Sequence, residues 1–445
     1  MAVWLFGLVA AGVAVAATES PGLRGLHEGV ASCSGSTCHS RQVDTTGNVR
    51  QNEIITWKDP GRAGAHSRAW RALSDSRGQA ILRKLGGAPA DTIRTKCAGC
   101  HADPGPADPK GQYNVADGVG CEACHGGSSD WLASHRAVEG THANNLSRGM
   151  RPLDSPKARA EVCLDCHFGS ARPAQFVSHD IMAAGHPRVS FELDLFSSLV
   201  QHWTVDHDYV VERHKRYAGG VTTWAVGQAL AVDRALSLFA QPGRGQGVFP
   251  EFYFFDCQSC HRQISDDRAF RPAWEANPGR PIPSGQPPFN DENMIMLAAA
   301  AKVAAPDLAA RFDADSSAFH TALARDRAAA PAAAQKLAAT ARALAERFDS
   351  RPLTKAQKLA MLDAVLGADV ARRLTDYEGS AQAVMAVDTL LNGLVSGGDV
   401  DRGAAARMRP ALDEAYARVR DPNTYRPAEF RDALGKVAQA ARSLK

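Results

Sequence analysis

The ten cysteines of this chain occur as five close pairs, and a histidine directly follows the second cysteine of every pair. The five segments are Cys33-Ser-Gly-Ser-Thr-Cys38-His39, Cys97-Ala-Gly-Cys100-His101, Cys121-Glu-Ala-Cys124-His125, Cys163-Leu-Asp-Cys166-His167 and Cys257-Gln-Ser-Cys260-His261. Two thiols followed by an imidazole are the attachment signature of c-type haem, in which the thiols form thioethers and the histidine becomes an axial iron ligand. The sequence therefore predicts five covalently attached haem c groups, each with its iron.

Zinc and disulfide bonds are the alternatives for these cysteines. The second and third motifs alone would suit a zinc ribbon, but neither a ribbon nor a disulfide framework requires a histidine after every pair. The first motif is the weakest, because four residues separate Cys33 from Cys38 instead of two. Those residues are small and turn-prone, so the extra length can bulge outward while both sulfurs reach one porphyrin. A lone disulfide is the alternative at this motif.

The chemistry of such irons depends on their second axial ligand. A haem with two histidine ligands only moves electrons, whereas a five-coordinate haem can bind a small molecule. Ten further histidines are available for five irons, and six of them lie between residues 135 and 207. The expected second ligands are His66, His135, His142, His179 and His186.

Local sequence distinguishes some of these histidines. Pro187 confines His186 to extended backbone and so fixes where its imidazole points. His66 lies between two tryptophans suited to covering a haem face. His207 and His214 lie among charged residues, and we expect ordinary roles for both; His320 is expected at the surface.

Two longer segments resemble a known family. They are Asp117-Gly-Val-Gly-Cys121-Glu-Ala-Cys124-His125-Gly126 with Trp131-Leu-Ala-Ser-His135 after it, and Val177-Ser-His179-Asp-Ile-Met-Ala-Ala-Gly185-His186-Pro187-Arg188. Both are similar to multihaem cytochromes related to cytochrome c-554, the tetrahaem electron carrier of ammonia oxidation, and the similarity extends over roughly residues 30–265. The fifth motif, the long first spacer and the C-terminal part depart from the tetrahaem pattern.

The resemblance implies haems packed in parallel-stacked and perpendicular pairs, most of them with two histidine ligands. It also implies that His135 ligates the first haem and His66 the third, while His179 and His186 serve among the remaining haems.

The elements that must position these residues form two regions. We predict a mainly α fold with sparse regular secondary structure, in which a multihaem cytochrome c domain precedes a C-terminal helical bundle. The predicted divisions are a signal peptide at 1–16, a pentahaem domain at 17–289 and an Ala-rich helical domain at 290–445. The Pro- and Gly-rich segment Asn277–Asn290 is predicted to be the linker. The short interval from His101 to Cys121 predicts that the second and third haems are neighbours.

Apolar residues at helical spacing predict an antiparallel bundle in the C-terminal region. The predicted faces are Leu337, Ala341, Leu344 and Phe348; Leu359, Leu362 and Leu366; and Val384, Val387, Leu391 and Leu394. Thr354 with Gln357 resembles a capping box, and Gly367 and Gly379 fit helix ends.

The net charge bears on possible partners, and the amino terminus bears on the cellular location. The formal charge is +3, and five haems with ionised propionates at about −1 each bring it to about −2, so nucleic-acid binding has no support. The apolar stretch Ala2–Ala17 fits a secretory leader, which predicts a periplasmic protein without a transmembrane span in the mature chain. No Lys or Arg precedes that stretch, so an uncleaved membrane tether is the alternative.

These observations predict an exported pentahaem cytochrome that transfers electrons between redox partner proteins in a respiratory or nitrogen/sulfur-compound pathway. The alternative is a haem oxidoreductase, in which the haem of Cys97, Cys100 and His101 lacks a second ligand and acts on a small inorganic nitrogen or sulfur species. A third hypothesis makes the helical tail a docking module for a membrane or a partner complex.

Overall fold

The computed structural model describes residues 25–42, 51–138, 140–188, 190–205, 210–211, 214–244, 250–261, 266, 275–280, 282–283 and 286–444. Across these residues the fold is helical, with isolated bridges His27–Ala107 and Phe255–Phe289 and no strand. The predicted fold class, mainly α with little regular structure around the cysteine motifs and a helical C-terminal region, is confirmed. None of the helices in these ranges has the length and apolarity needed to cross a membrane. The predicted leader and His207 lie outside the described residues.

Short helices separated by turns make up the region of the first four motifs. The α-helices are α1 Glu53–Trp57, α2 Ser76–Leu85, α3 Pro89–Thr92, α4 Ala98–His101, α5 Cys121–His125, α6 Leu132–Arg136, α7 His142–Ser147, α8 Pro156–His167, α9 His179–Ala183 and α10 Leu193–Leu199. A π-helical turn, Ile93–Cys97, joins α3 to α4. The 3₁₀ turns among the described residues are Val30–Ser32, Arg62–Gly64, His66–Arg68, Arg71–Leu73, Val115–Asp117, Phe252–Phe254, Cys257–Ser259 and Arg442–Leu444.

Longer helices form the bundle. They are α11 Gly220–Phe239, α12 Glu292–Ala304, α13 Pro306–Arg325, α14 Ala330–Ser350, α15 Lys355–Val365, α16 Ala368–Ala371, α17 Tyr377–Ser396, α18 Arg402–Arg418 and α19 Pro427–Ala441. The three predicted apolar faces lie on α14, on α15 with the residue that follows it, and on α17, and most of their residues are buried.

The centre of the bundle is α11, which precedes the fifth motif in the sequence. It packs against α12, α14 and α17 and is buried over most of its length, including Trp224. The helical body therefore begins before residue 290, the boundary predicted from the change in composition.

The segment predicted as a linker is packed into the protein where the structure describes it. Asn277, Arg280 and Phe289 are all buried, and Phe289 forms a bridge with Phe255. The ring of Phe239 lies 5.5 Å from that of Phe289, so the segment is part of the bundle core. The linker prediction was wrong because proline and glycine report backbone conformation and carry no information about burial.

Two of the three predictions of helix ends in the bundle are confirmed. Thr354 and Gln357 form the predicted capping box at the start of α15, and Gly367 lies between α15 and α16. Gly379, predicted at a helix end, instead lies in the first turn of α17, where its N–H donates to Asp376 Oδ1 at 2.8 Å. The aspartate caps the helix, so the glycine is not needed as its terminus.

His320 is fully buried on α13, which corrects its predicted place at the surface. Burial lowers its pKa to about 3, with smaller contributions from Arg280 and Arg373. A neutral imidazole behaves as an apolar ring with one hydrogen bond, here from Nδ1 to Ser316 O at 3.3 Å.

Buried polar contacts join the two regions. Glu192 precedes α10 and accepts hydrogen bonds from the N–H groups of Asp194 and Leu195 and from Thr389 Oγ1 of α17, at 2.7–2.9 Å. Gln382 of α17 donates to Phe191 O at 2.7 Å. Burial and the neighbouring Asp194 raise the pKa of Glu192 to about 7.

We expect Glu192→Gln to make stability less dependent on pH. The folded protein holds the Glu192 proton up to about pH 7, whereas the unfolded chain loses it near pH 4.5, so wild-type stability falls as the pH rises through that window, by up to about 3 kcal/mol. The difference in Tm, variant minus wild type, should therefore become more positive between pH 5 and pH 8 in thermal melts followed by circular dichroism. Asp413→Asn, at an exposed carboxylate, is the control. A Tm difference that stays constant with pH would contradict this account.

Candidate haem-binding sites

Local helical structure places the groups of most motifs on one face. In α5, and in the last turn of α8, the two cysteines are three residues apart and the histidine follows, so all three side chains lie close together on the helix surface. In the first motif the chain folds back, with Cys38 N donating to Gly35 O at 2.9 Å. The four-residue spacer is therefore a turn, as its composition predicts.

The cysteines do not form the alternative sites. No disulfide joins any of the ten. Among the described residues, no cysteine belongs to a set of three possible ligands close enough to share one metal ion. The zinc-ribbon arrangement of the second and third motifs is therefore absent.

Each motif histidine has a second imidazole ring about 6 Å away. The pairs are His39 with His135 at 5.9 Å between ring centroids, His101 with His186 at 6.3 Å, His125 with His202 at 6.2 Å, His167 with His66 at 6.4 Å and His261 with His179 at 6.0 Å. A metal–imidazole bond of about 2.0 Å plus about 1.1 Å from nitrogen to centroid, taken twice, gives about 6.2 Å. The five separations therefore fit two imidazoles on opposite sides of one iron.

Hydrogen bonds at Nδ1 orient several of these rings. His101 bonds to Ala69 O at 2.7 Å, His186 to Pro187 O at 2.8 Å and His202 to Val200 O at 3.0 Å. A carbonyl can only accept, so Nδ1 carries the proton and Nε2 keeps the lone pair that binds a metal. His39 makes the corresponding contact with a carboxylate, Glu53 Oε2, at 2.9 Å.

Burial keeps the central imidazoles neutral. The pKa of His125 is lowered to about 3, first by burial and then by His202, with smaller contributions from His39, Lys215 and His135. The pKa of His167 is lowered to about 4, again first by burial and then by His66. A neutral imidazole is the form that coordinates iron.

Four of the five predicted second ligands lie opposite a motif histidine, namely His66, His135, His179 and His186. The fifth, His142, does not: its Nε2 lies 3.8 Å from Asp154 Oδ1, and it lowers the pKa of that carboxyl to about 2. His202 stands in the position that sequence reasoning did not assign. The signals for it were its place in the histidine-dense stretch and the adjacent Trp203, whose ring is 5.4 Å away.

The partner of His66 also differs from the one that the family resemblance implies. Its ring faces His167 of the fourth motif, whereas the resemblance places it at the third. His135 faces His39 of the first motif, the partner that the resemblance gives it.

The motifs pack in pairs. Glu122 of the third motif accepts hydrogen bonds from the N–H groups of Glu28 and Gly29, just before the first motif, at 2.9 and 2.7 Å. Cys166 Sγ of the fourth motif lies 3.7 Å from Gly99 O of the second. The structure thus places the first motif against the third and the second against the fourth, and α5 of the third motif also contacts α8 of the fourth. That the second and third haems are neighbours stays a prediction.

A cavity of about 610 Å³ adjoins the second motif. Its walls include Trp70, Ala98, Gly99 and Ala102. A mostly apolar cleft of this size is in the range that holds a cofactor, and the small side chains of the motif open directly onto it. Its walls include neither His101, His186 nor the two motif cysteines, so the fit of a haem at this motif rests on the two imidazoles.

Comparison with known families agrees with the site. Residues 32–126, which contain the first three motifs, match the family described as cytochrome c554 and c-prime. A domain of this family implies covalent haem c, haem-based electron transfer and redox partners, and c-type cytochromes are typically extracytoplasmic. Searches of curated proteins and of solved structures found no match.

We expect Glu53→Gln to raise one reduction potential of the protein and leave the others unchanged. The carboxylate bound to His39 Nδ1 makes that imidazole more basic and so favours the oxidised iron, an effect that a neutral amide reproduces only weakly. Potentiometric titration of the visible spectrum measures the shift. Glu346→Gln, which removes a surface carboxylate paired with Lys157, is the matched control. The expectation fails if every potential stays at its wild-type value.

Proposed function

We propose that this chain is a pentahaem cytochrome c that carries electrons between redox partner proteins. The observation that carries the proposal is the second imidazole opposite every motif histidine. An iron with two histidine ligands has no open position for a substrate and changes only its oxidation state. Five such irons in one chain can pass single electrons from one haem to the next.

The proposed ligand pairs follow the motif order. They are His39 with His135, His101 with His186, His125 with His202, His167 with His66, and His261 with His179. The thioether residues are Cys33 and Cys38, Cys97 and Cys100, Cys121 and Cys124, Cys163 and Cys166, and Cys257 and Cys260. His202 replaces His142 in the set proposed from the sequence.

The geometry favours a carrier over the enzyme alternative. That alternative needs an open position on one iron, and the second motif was its candidate. The ring of His186 occupies the place opposite His101, and its Nδ1 bond to Pro187 O leaves Nε2 available as a ligand. We therefore assign this haem to electron transfer as well.

The arrangement of the motifs suggests where electrons enter and leave. The first four motifs pack on one another, whereas the fifth lies against the bundle and has an exposed cysteine, Cys260. A haem edge close to solvent suits exchange with a partner protein, because the transfer rate falls steeply with distance. We propose the fifth haem as one terminus of the electron path.

Export is part of the same proposal. Haem attachment of this type and the apolar leader both favour a periplasmic protein, and its donor and acceptor would belong to a respiratory or nitrogen/sulfur-compound pathway. An uncleaved tether would leave the haem domain in the same compartment.

Intact-mass analysis of the exported protein tests the haem count. We expect the mass of the processed polypeptide plus five haems, and five irons per chain by elemental analysis, because each motif supplies two thiols and one proximal imidazole. A chain with Cys33→Ala and Cys38→Ala should lose one haem and keep the other four. Fewer than five haems in the wild-type protein would contradict the count.

Carbon monoxide binding tests the coordination. The reduced wild-type protein should show no carbon monoxide spectrum, because every iron has two protein ligands. His202→Ala should create one binding site, about one fifth of the haem, and a high-spin signal. His142→Ala is the matched control and should behave as the wild type does. A carbon monoxide spectrum of the wild-type protein would favour the enzyme alternative, and an unchanged His202→Ala variant would exclude His202 as a ligand.

A further inference from the structure

Three carboxylates meet between the fifth motif and the bundle. Asp256 directly precedes Cys257, and Asp376 and Glu378 lie at the start of α17. One oxygen from each lies within 4.8 Å of the others, and all three residues are buried. Their convergence is a product of the tertiary fold, because more than a hundred residues separate Asp256 from the other two.

The arginines around this cluster already have acidic partners. Arg280 bonds to Asp376 at 2.8 Å, Arg373 pairs with Asp291 at 3.4 Å, and Arg188 pairs with Glu292 at 3.4 Å. Each of these three pairs is neutral as a whole. Within the described part of the chain, Asp256 and Glu378 form no ion pair, and burial, with a smaller contribution from Asp376, raises the pKa of both carboxyls. When ionised, they add two negative charges that have no cationic partner.

The same two residues have oxygens without a partner. Asp256 Oδ2 and Glu378 Oε2 are buried and make no hydrogen bond to the described residues. Asp256 is 3% exposed and Glu378 is 5% exposed, so water does not solvate them either. An isolated carboxylate in such surroundings costs several kcal/mol unless a counter-charge reaches it.

We propose that Asp256, Asp376 and Glu378 bind a divalent cation of the calcium class. Hard cations prefer oxygen ligands at about 2.3–2.6 Å, so two ligands on opposite sides of Ca²⁺ lie about 4.6–5.2 Å apart. The three carboxylate oxygens fit inside that sphere. A charge of +2 balances the two unpaired carboxylates, and the unpartnered oxygens of Asp256 and Glu378 are available as ligands.

Two residues close to the cluster in sequence also carry buried neutral oxygens that make no hydrogen bond to the described residues. Gln258 Oε1 and Thr375 Oγ1 are buried without a hydrogen-bond partner, and each is within two residues of a cluster carboxylate along the chain. The donors are oxygens, whereas zinc, copper and nickel prefer nitrogen or sulfur. Mg²⁺ is disfavoured because it retains several waters, which a buried site excludes.

The cation would connect the fifth motif to the bundle. Asp256 accepts from Gln258 N at 3.1 Å within the motif, while Asp376 caps α17 through Gly379 N. A shared ion would fix the position of the fifth motif relative to the start of α17. It would also neutralise negative charge near the thioether residue Cys257, which favours the reduced state of the fifth haem.

Elemental analysis of the whole holoprotein tests the site. Protein stripped with a chelator and then equilibrated with about 0.1 mM CaCl₂ should hold one calcium per chain, about one per five irons, and removal of calcium should lower the Tm. Calcium should restore the Tm, and Mg²⁺ at the same concentration should not. If the chain has five irons and takes up no calcium, the cation site is wrong and the haem assignment stands. If the chain has fewer than five irons but binds one calcium, the haem count is wrong and the cation site stands.

Matched variants locate the ion. The double variant Asp256→Asn, Glu378→Gln preserves side-chain size and should lower calcium occupancy at least tenfold, and its Tm should no longer respond to calcium. Asp315→Asn is the control, because Asp315 is a buried carboxylate whose partners are Thr340 Oγ1 at 2.7 Å and Lys336 at 2.9 Å. If the double variant fails to fold, the calcium content and Tm response of the wild type still decide. Full calcium in the double variant would overturn the assignment.

Discussion

The structure depends on pairs of imidazoles held on opposite sides of a shared position. Two rings whose centroids are about 6 Å apart gain only about 1 kcal/mol from their mutual contact. Their burial costs more, because it suppresses protonation of His125 and His167 and removes polar nitrogens from water. Iron between the rings would supply the missing energy, and the Nδ1 hydrogen bonds to backbone carbonyls keep the second nitrogen available for it.

This constraint accounts for the sparse secondary structure of the first region. His39 and His135 lie about a hundred residues apart in sequence, as do His66 and His167, so each proposed ligand pair would close a long loop. Cross-links of long loops remove much of the conformational freedom of the unfolded chain. With such links, helices of four to seven residues, which are marginal alone, can be held in place.

The haem-attachment residues stay a prediction, which rests on the fixed spacing of cysteine and histidine that a covalent cofactor imposes. The sequence allowed the fold class to be predicted from the helical periodicity of its C-terminal region. It did not identify His202 as the partner of His125, since ligand pairing is set by the path of the chain in three dimensions. The capping box at Thr354 was predictable for the same reason as the motifs, being local. The place of α11 in the bundle was not, because a helix buried on most sides lacks a polar face to mark its period.

The helical bundle and the region of the first four motifs are stabilised in different ways. In the bundle, apolar helices such as α11 and α17 bury each other, and the packing of Phe239, Phe254 and Phe289 extends this core to the residues just before the fifth motif. Motifs one to four instead pack on one another. The fifth motif thus has the helical bundle as a support on one side. This packing compensates for its contacts with fewer of the other motifs. The rate of electron transfer between haems stays constant only if the distances between them stay constant. The fifth haem, which we propose as a terminus of the electron path, would therefore need such a support.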